Sequence, residues 1–507
     1  MEFYAESKEI SFLSINVKFV HLSFQIRKKS MEEQERNHIE EILERATYAA
    51  AIFNQYDQEQ VDRIVRAVYK AALNNRVMLA KMAAEETQMG RWEDKVTKNA
   101  IAAQYVYENL KNQKTVGIIS ENEHSGIVEI AQPIGPILAI IPITNPTSTT
   151  IFKILIALKT RNPIIISPPR KGANSTIEAA RICYEAALSE EAPEDCIQWN
   201  NNKTREETQH LMKHPKLALI LATGGTGLVH EAYSSGTPAL GVGAGNVPVY
   251  MEKTADPSFA VEQLILSKTF DNGTICASEQ ALVVDKEIAG KVKEELVRQG
   301  AYFLNPEETK AVEKVAWNTE TKSMNGAVVG QSVEKIAAMA GIKVPEGTRL
   351  LMVPLEKIGD EEPLSSEILA PILAYYEAND FDDAARKCIE LNYHGGIGHT
   401  ASIFSCDEER IKKFSVMMNA GRIVVNMPSA QGAVGSLFNT LETSFTLGCG
   451  TAGKNITTDN VSARHLLNIQ RVTRRRMNVR MLNLGFDIYL DESLDADTLE
   501  REYNKNY

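Results

Sequence analysis

No two of the six cysteines, at positions 183, 196, 276, 388, 406 and 449, form a CxxC pair. The spacing of a structural zinc site or a disulfide framework is therefore absent, and a reducing, cytoplasmic location is expected. The nine histidines contain no HExxH pair, and no metal is expected. Positive charge is in deficit: 55 Lys and Arg stand against 66 Asp and Glu, a net charge of −11. That balance excludes a general nucleic-acid binder, which needs a basic excess to neutralise phosphates. The one basic run, Arg471 to Arg480 with Arg474-Arg475-Arg476 inside it, reads as a solvated helix end. Long apolar runs are also missing. The stretch 10–26 is broken by Asn16, Lys18, His21 and Ser23 and falls short of the ~20 apolar residues of a membrane span. It has neither a basic leader nor a small-residue cleavage site, so no secretory signal is expected.

A chain of 507 residues exceeds one simple core and implies two or three domains. Ile39, Ile42, Leu43 and Ala46, then Val61, Ile64, Val65 and Val68, recur at three- and four-residue steps, so Glu32 to Met89 is predicted helical. A further helical pattern runs from about Asp94 to Lys111. Thr115 to Ile130 reads as two strands with a hairpin tip at Glu121-Asn122-Glu123. The apolar run Ile137 to Ile141 fits a buried parallel strand. Pro142 to Thr150 is then a loop and Ile151 to Lys159 a helix. Strands at Pro163–Ser167, Leu217–Ala222 and Pro248–Met251 alternate with helices at Ala173–Ala187 and Gly227–Ser234, the pattern of a doubly wound parallel sheet. A second alternation begins around Cys276. Its strands are Ala281–Val284, Arg349–Val353, Ile372–Tyr376, Ala401–Phe404 and Ile423–Asn426, and its helices Ile288–Gln299, Phe381–Leu391 and Glu408–Met417. The segment Phe445 to Ile469 is Gly/Thr-rich and then returns to helix.

The richest stretch is Phe270-Asp271-Asn272-Gly273-Thr274-Ile275-Cys276-Ala277-Ser278-Glu279-Gln280. It sets one thiol after an Asn-Gly turn, open to a substrate in a way that a thiol inside an apolar run is not. Thr144-Asn145-Pro146-Thr147-Ser148, Thr223-Gly224-Gly225-Thr226-Gly227 and Gly241-Val242-Gly243-Ala244-Gly245-Asn246 lie upstream. Ser366-Glu367-Ile368-Leu369-Ala370-Pro371 and Gly395-Gly396-Ile397-Gly398-His399-Thr400 follow downstream. In this order and spacing the motifs resemble the aldehyde dehydrogenase superfamily, and within it the CoA-acylating branch: the aldehyde dehydrogenase half of bacterial bifunctional aldehyde-alcohol dehydrogenases. The resemblance runs from about Met31 to about Arg476.

That resemblance implies an α/β fold of two doubly wound domains, for cofactor and catalysis, with a small β oligomerisation arm. The expected division is an extension outside the family at 1–30, an NAD-binding domain at 31–274 with arm strands at about 115–132, a catalytic domain at 275–440, and a return segment at 441–507 carrying the oligomerisation strand and C-terminal tail. Cys276 falls on the family's nucleophile. A thiolate there makes the aldehyde carbon tetrahedral, so that its hydride can leave. Asn145 and the Cys276 backbone N–H would receive the developing alkoxide. His399 is the candidate group for binding or deprotonating the incoming thiol, because an ordinary histidine titrates near neutrality; a structural histidine after a Gly-rich turn is the alternative, and His394 reads as a surface residue. NAD would lie on Ile140, Ile141, Pro142, Ile143, Thr144 and Asn145, on Gly224 and Gly225 at a helix N-terminus, on Gly243, and on Glu367 at the nicotinamide-side ribose.

Hydrolytic relatives usually carry Glu-Leu-Gly-Gly where this chain has Gly241 to Gly245, and that glutamate activates water. Here no acid occurs between Glu231 and Glu252. The expectation is an acyl-transferring enzyme with NAD and coenzyme A and no metal, interconverting a short aldehyde, most simply acetaldehyde, with its acyl-CoA in fermentation. Propionaldehyde, butyraldehyde, succinate semialdehyde or sulfoacetaldehyde is the alternative substrate, and a non-catalytic scaffold or filament component the alternative class. Ser167-Pro168-Pro169-Arg170-Lys171 holds no acid for the adenosine ribose, so NADP stays open. A homo-oligomer, a dimer or larger, is expected, with no nucleic acid or membrane partner. The bifunctional relatives continue into an iron-dependent alcohol dehydrogenase, whose metal pattern the histidines here do not follow, so a separate alcohol dehydrogenase is the expected partner.

Overall fold

Val61, Ile64, Val65 and Val68 turn one face of the helix Gln58–Asn74 inward, and all four are buried. Asp57 starts that helix as an N-cap, accepting from the Gln60 N–H while the Gln60 side chain accepts from the Asp57 N–H. The computed structural model describes residues 37–201, 205–475, 478, 480 and 484–505; the expected extension at 1–30 lies outside them. Among these the chain forms two bodies. The larger is built from residues up to 113 and 133–467, the smaller from 114–132 and from 468 onward.

The larger body holds two parallel sheets. The first consists of Ile137–Ile140 (β1), Ile164–Ser167 (β2), Ile197–Trp199 (β3), Leu219–Thr223 (β4) and Ala239–Val242 (β5), in the order β3-β2-β1-β4-β5. The order reverses between β1 and β4, and ligands of such sheets bind at that point, beyond the carboxyl ends of the strands. Lys153, fully buried on the helix Pro146–Lys159, ties the two strands there: its Nζ donates to the Ile140 carbonyl at 2.7 Å and the Leu221 carbonyl at 2.8 Å. Burial holds this lysine well below its usual pKa.

The second sheet has seven strands: Val247–Met251 (β6), Glu279–Asp285 (β7), Ala301–Phe303 (β8), Leu350–Pro354 (β9), Ile372–Ala378 (β10), Gly398–Phe404 (β11) and Ala420–Val425 (β12), ordered β8-β9-β10-β7-β6-β11-β12. This corrects one expectation. The alternation places Pro248–Met251 with the first set of strands, but β6 pairs with β7 and β11, so the chain changes sheets after Val242 rather than around Cys276. Strand–helix alternation carries no information on which sheet a strand joins; the glycine-rich run Gly241–Gly245 makes the crossing.

Three further differences are local. The helix begins at Pro146, not Ile151, because proline with its preset φ and missing N–H fits the first helical position. Residues Trp92 to Leu110 form one helical stretch whose hydrogen bonds widen to a π-turn at Ile101–Tyr105. The expected helix near residue 469, and the helical reading of Arg471, give way to a strand, Leu467–Thr473.

In the smaller body, Gly117–Asn122 and Ile127–Pro133 pair antiparallel, with Glu121 opposite Val128 and Asn122 opposite Ile127. The Asn122 side chain accepts from the Ser125 N–H at 3.0 Å, closing the expected hairpin tip. Leu467–Thr473 is the third strand, beside Ile127–Pro133, with Arg471 Nε 3.0 Å from Glu129 Oε1.

Candidate active site

The turn before Cys276 is conformationally expensive. Asp271, Asn272 and Gly273 lie in succession in the left-handed region, at φ 49°, 53° and 73°. Two of these are not glycine, so the surroundings must hold them there. A Cβ on Gly273 would fall 2.9 Å from the Ala370 carbonyl, which makes glycine necessary on both counts. What holds the turn is Asp271, fully buried, whose Oδ2 accepts from Lys98 Nζ at 2.5 Å, Lys95 Nζ at 2.9 Å and Thr274 Oγ1 at 2.8 Å. Its Oδ1 accepts from the Arg91 N–H at 2.7 Å. Burial alone would raise this carboxyl; the two ammonium groups outweigh it and keep the pKa below normal. Lys95 and Lys98 stand three apart on one face of the helix Trp92–Ala100, so both reach the same oxygen.

Lys98 also donates to Asn145 Oδ1 at 2.7 Å, which brings two candidate residues, Asn145 and the Cys276 turn, onto one cation. Cys276 is partly open. Burial first, then the neighbouring Glu367 and Cys449, push its thiol up to about 12 against the opposing pull of Arg422. Behind it stands His399, fully buried, with Nε2 3.3 Å from Cys276 Sγ and Nδ1 2.9 Å from Thr400 Oγ1. Burial and the Arg422 charge push His399 down to about 3, so it is neutral at physiological pH. Its titration thus departs from the near-neutral one of an ordinary histidine, and the ring, on β11, lies within reach of the Cys276 thiol. Arg422 is itself buried, donating to the carbonyls of His399, Gly448 and Thr458 at 2.9, 2.6 and 2.9 Å.

Gly245 closes the arrangement. A Cβ there would meet the Cys276 carbonyl oxygen at 2.3 Å and His399 Cγ at 3.0 Å, so only glycine fits. Its N–H donates to Glu367 Oε1 at 2.8 Å, and burial raises Glu367 to about 7.

A cavity of about 1100 Å³ opens on this site and continues to the β1/β4 switch point. Its walls include Ile140 to Asn145, Gly224, Gly225, Gly243, Cys276 and Glu367; of the candidate residues only His399 is absent. The volume and placement suit an extended dinucleotide. At the far end are Pro168, Pro169 and Arg170, joined by Glu206 and Glu231 from other helices, so acids reach the cavity although the Ser167–Lys171 run has none. His394 lines the cavity too, its Nε2 2.9 Å from Ser366 Oγ. It remains part-exposed, and its position in the last turn of the helix Phe381–Gly395 does not show what the helix end faces. His210 and His214 stand four apart, but His214 Nε2 is occupied by Glu40 Oε2 at 2.7 Å, and among the described residues no group of three His, Cys, Asp or Glu is placed to hold a metal.

The pattern of the family described as "Aldehyde dehydrogenase family" matches residues 27–446. The chain belongs to that family. It is 48% identical over 441 residues to an aldehyde-alcohol dehydrogenase of Clostridium acetobutylicum, covering 86% of this chain and 51% of the relative. This chain therefore spans about half the length of that relative. Among solved structures, an acetylating aldehyde dehydrogenase from Geobacillus thermoglucosidasius superposes with a TM-score of 0.86 at 46% identity, covering 88% of this chain and 99% of that one. A more distant structure is the propionaldehyde dehydrogenase of Rhodopseudomonas palustris with bound CoA and an acylated cysteine, at TM-score 0.77 and 25% identity over 86% of this chain and 97% of that one. Within the family, these similarities point to the CoA-acylating branch.

A thiol raised to about 12 is almost wholly protonated in the resting site. Alkylation of Cys276 by iodoacetamide is expected to quicken roughly tenfold per pH unit between about pH 7 and 10, because only the thiolate reacts. A rate that levels off below pH 8 would show a preformed thiolate and contradict this picture.

Proposed function

We propose that the chain is an NAD-dependent, CoA-acylating aldehyde dehydrogenase acting reversibly on a short aldehyde, acetaldehyde and acetyl-CoA being the favoured pair. The supporting observation is what stands beside the thiol. Where the acid-free run from Val242 to Gly245 passes Cys276, it offers backbone and small side chains and no carboxylate to activate water.

In this reading Cys276 Sγ bonds to the carbonyl carbon and the C=O π pair moves to oxygen. The thiol proton ends on that oxygen; neutral His399, with Nε2 3.3 Å from Sγ, would accept it on the way in the tautomer that carries its hydrogen on Nδ1. Asn145 Nδ2 and the Cys276 N–H stabilise the charge as it develops, an effect worth about 10²–10³ in rate per donor. NAD, when bound, accepts the hydride. Loss of hydride leaves a thioester on Cys276, and the hydroxyl proton is released to solvent through the open cavity as the one proton of the net reaction. The CoA thiol then adds to the thioester, the C–S bond to Cys276 breaks, and the proton returns to the cysteine. One thioester replaces another, so the exchange is nearly isoenergetic and reversible. Glu367, anchored on the Gly245 N–H, is left with Oε2 for the ribose hydroxyls. An alcohol dehydrogenase activity, as named in the longer relative, is the expected partner for the aldehyde.

The three-stranded sheet of the smaller body supports a homo-oligomer. Ile118 on its edge strand is 55% exposed and Val472 is 43% exposed; sheets this small with unpaired edges find further strands. Sedimentation is expected to give a dimer or larger; a monomer with full activity at micromolar concentration would exclude it.

Aldehyde and NAD⁺ without CoA are expected to yield a single burst of about one NADH per chain, followed by steady turnover only when CoA is added. Steady carboxylic acid production at a comparable rate would instead assign water activation to a carboxylate such as Glu367 and remove the acylating reading.

A further inference from the structure

We infer that Lys98 is the positioning residue for the oxyanion donor Asn145, an inference that rests on the reaction proposed above. An asparagine at the N-cap of a helix ordinarily turns its side-chain oxygen onto the N–H groups of the first turn. Asn145 is the N-cap of Pro146–Lys159 and makes no such bond. Its Oδ1 accepts from Lys98 Nζ at 2.7 Å, and its Nδ2 donates to Thr144 Oγ1 at 3.1 Å.

The two ends of a carboxamide are nearly isosteric, so only the partners decide which end faces where. An ammonium has donors alone. Lys98 therefore selects Oδ1 and leaves the second Nδ2 hydrogen for the cavity that Asn145 lines. With the amide reversed, an oxygen lone pair would face the developing alkoxide and repel it. The same ammonium donates to Asp271 Oδ2 at 2.5 Å and Thr274 Oγ1 at 2.8 Å, on the turn that ends in the Cys276 N–H. The turn carrying the second donor thus has other partners besides this cation, whereas the Asn145 amide is oriented through Lys98.

A simple charge-balancing role is distinguishable. Besides Lys98, Asp271 has Lys95 at 2.9 Å and the Arg91 N–H at 2.7 Å as partners. Asn145 Oδ1 has no second donor among the described contacts.

The test is a double-mutant cycle of Lys98→Met and Asn145→Ala, read as CoA-dependent NADH formation with NADH affinity measured alongside. Lys98→Met is expected to lower kcat by about 10- to 100-fold, with KM for NAD⁺ and NADH affinity within about twofold, and to cost less than about threefold once Asn145 is already alanine. Equal losses in both backgrounds, or a loss confined to KM and NADH affinity, would overturn the inference. If Lys98→Met does not fold, Lys98→Gln is read in the same cycle. Its amide no longer selects one end of Asn145, and a smaller loss is expected, again vanishing in the Asn145→Ala background. Failure of both variants to fold would assign Lys98 to stability and overturn the positioning role. Wild-type protein without CoA-dependent NADH would instead fail the acylating reading, and Asn145→Ala at full rate would remove the donor itself.

Discussion

The buried carboxylate of Asp271 is the interaction on which the site depends. It is taken out of water on a left-handed turn, two unfavourable conditions at once, and is stabilised there by two ammonium groups and a backbone N–H. Those partners come from the segment Arg91–Lys98, far away in sequence, so the thiol turn takes its shape from tertiary contact. Removing the carboxylate would leave two buried lysines sharing no anion and a turn with no reason to stay left-handed.

Around that anchor the local charges are arranged toward neutrality. The Cys276 thiol is pushed up to about 12, Glu367 up to about 7 and His399 down to about 3, each chiefly by burial. A resting site of neutral groups suits a reaction in which charge develops on an alkoxide and is then discharged. Arg422, held by three carbonyls, acts on both members of the His399–Cys276 pair and favours the thiolate when the proton departs.

Much of this was legible in the chain because strand–loop motifs carry local chemistry. Asn-Gly before Cys276, the Gly224-Gly225 pair after β4, and Glu367 after Ser366 each announce a loop at a strand end, and Cys276, Gly224, Gly225 and Glu367 all line the cavity. What could not be read depends on distant segments. Lys95 and Lys98 look like an ordinary charged helix face, yet both are buried because the helix packs on Asp271. His394 looks like a surface residue at a helix end, but the cavity opens beside it. His399 was legible as a neighbour of the chemistry, not as a neutral group enclosed behind the thiol. The register of β6 in the second sheet is likewise a property of pairing, since Val247–Met251 reads identically in either sheet.

The central claim is that Cys276 carries the acyl group and that the chain around it does not hydrolyse the resulting thioester. Intact-mass analysis of the protein after incubation with acetyl-CoA alone, without NADH, tests it most directly. The account predicts a gain of one acetyl group per chain, mapped to Cys276 by peptide fragmentation, stable over minutes and removed by added CoA. An acetyl group on another residue, no adduct at all, or an adduct that decays to free acid before CoA is added would contradict it.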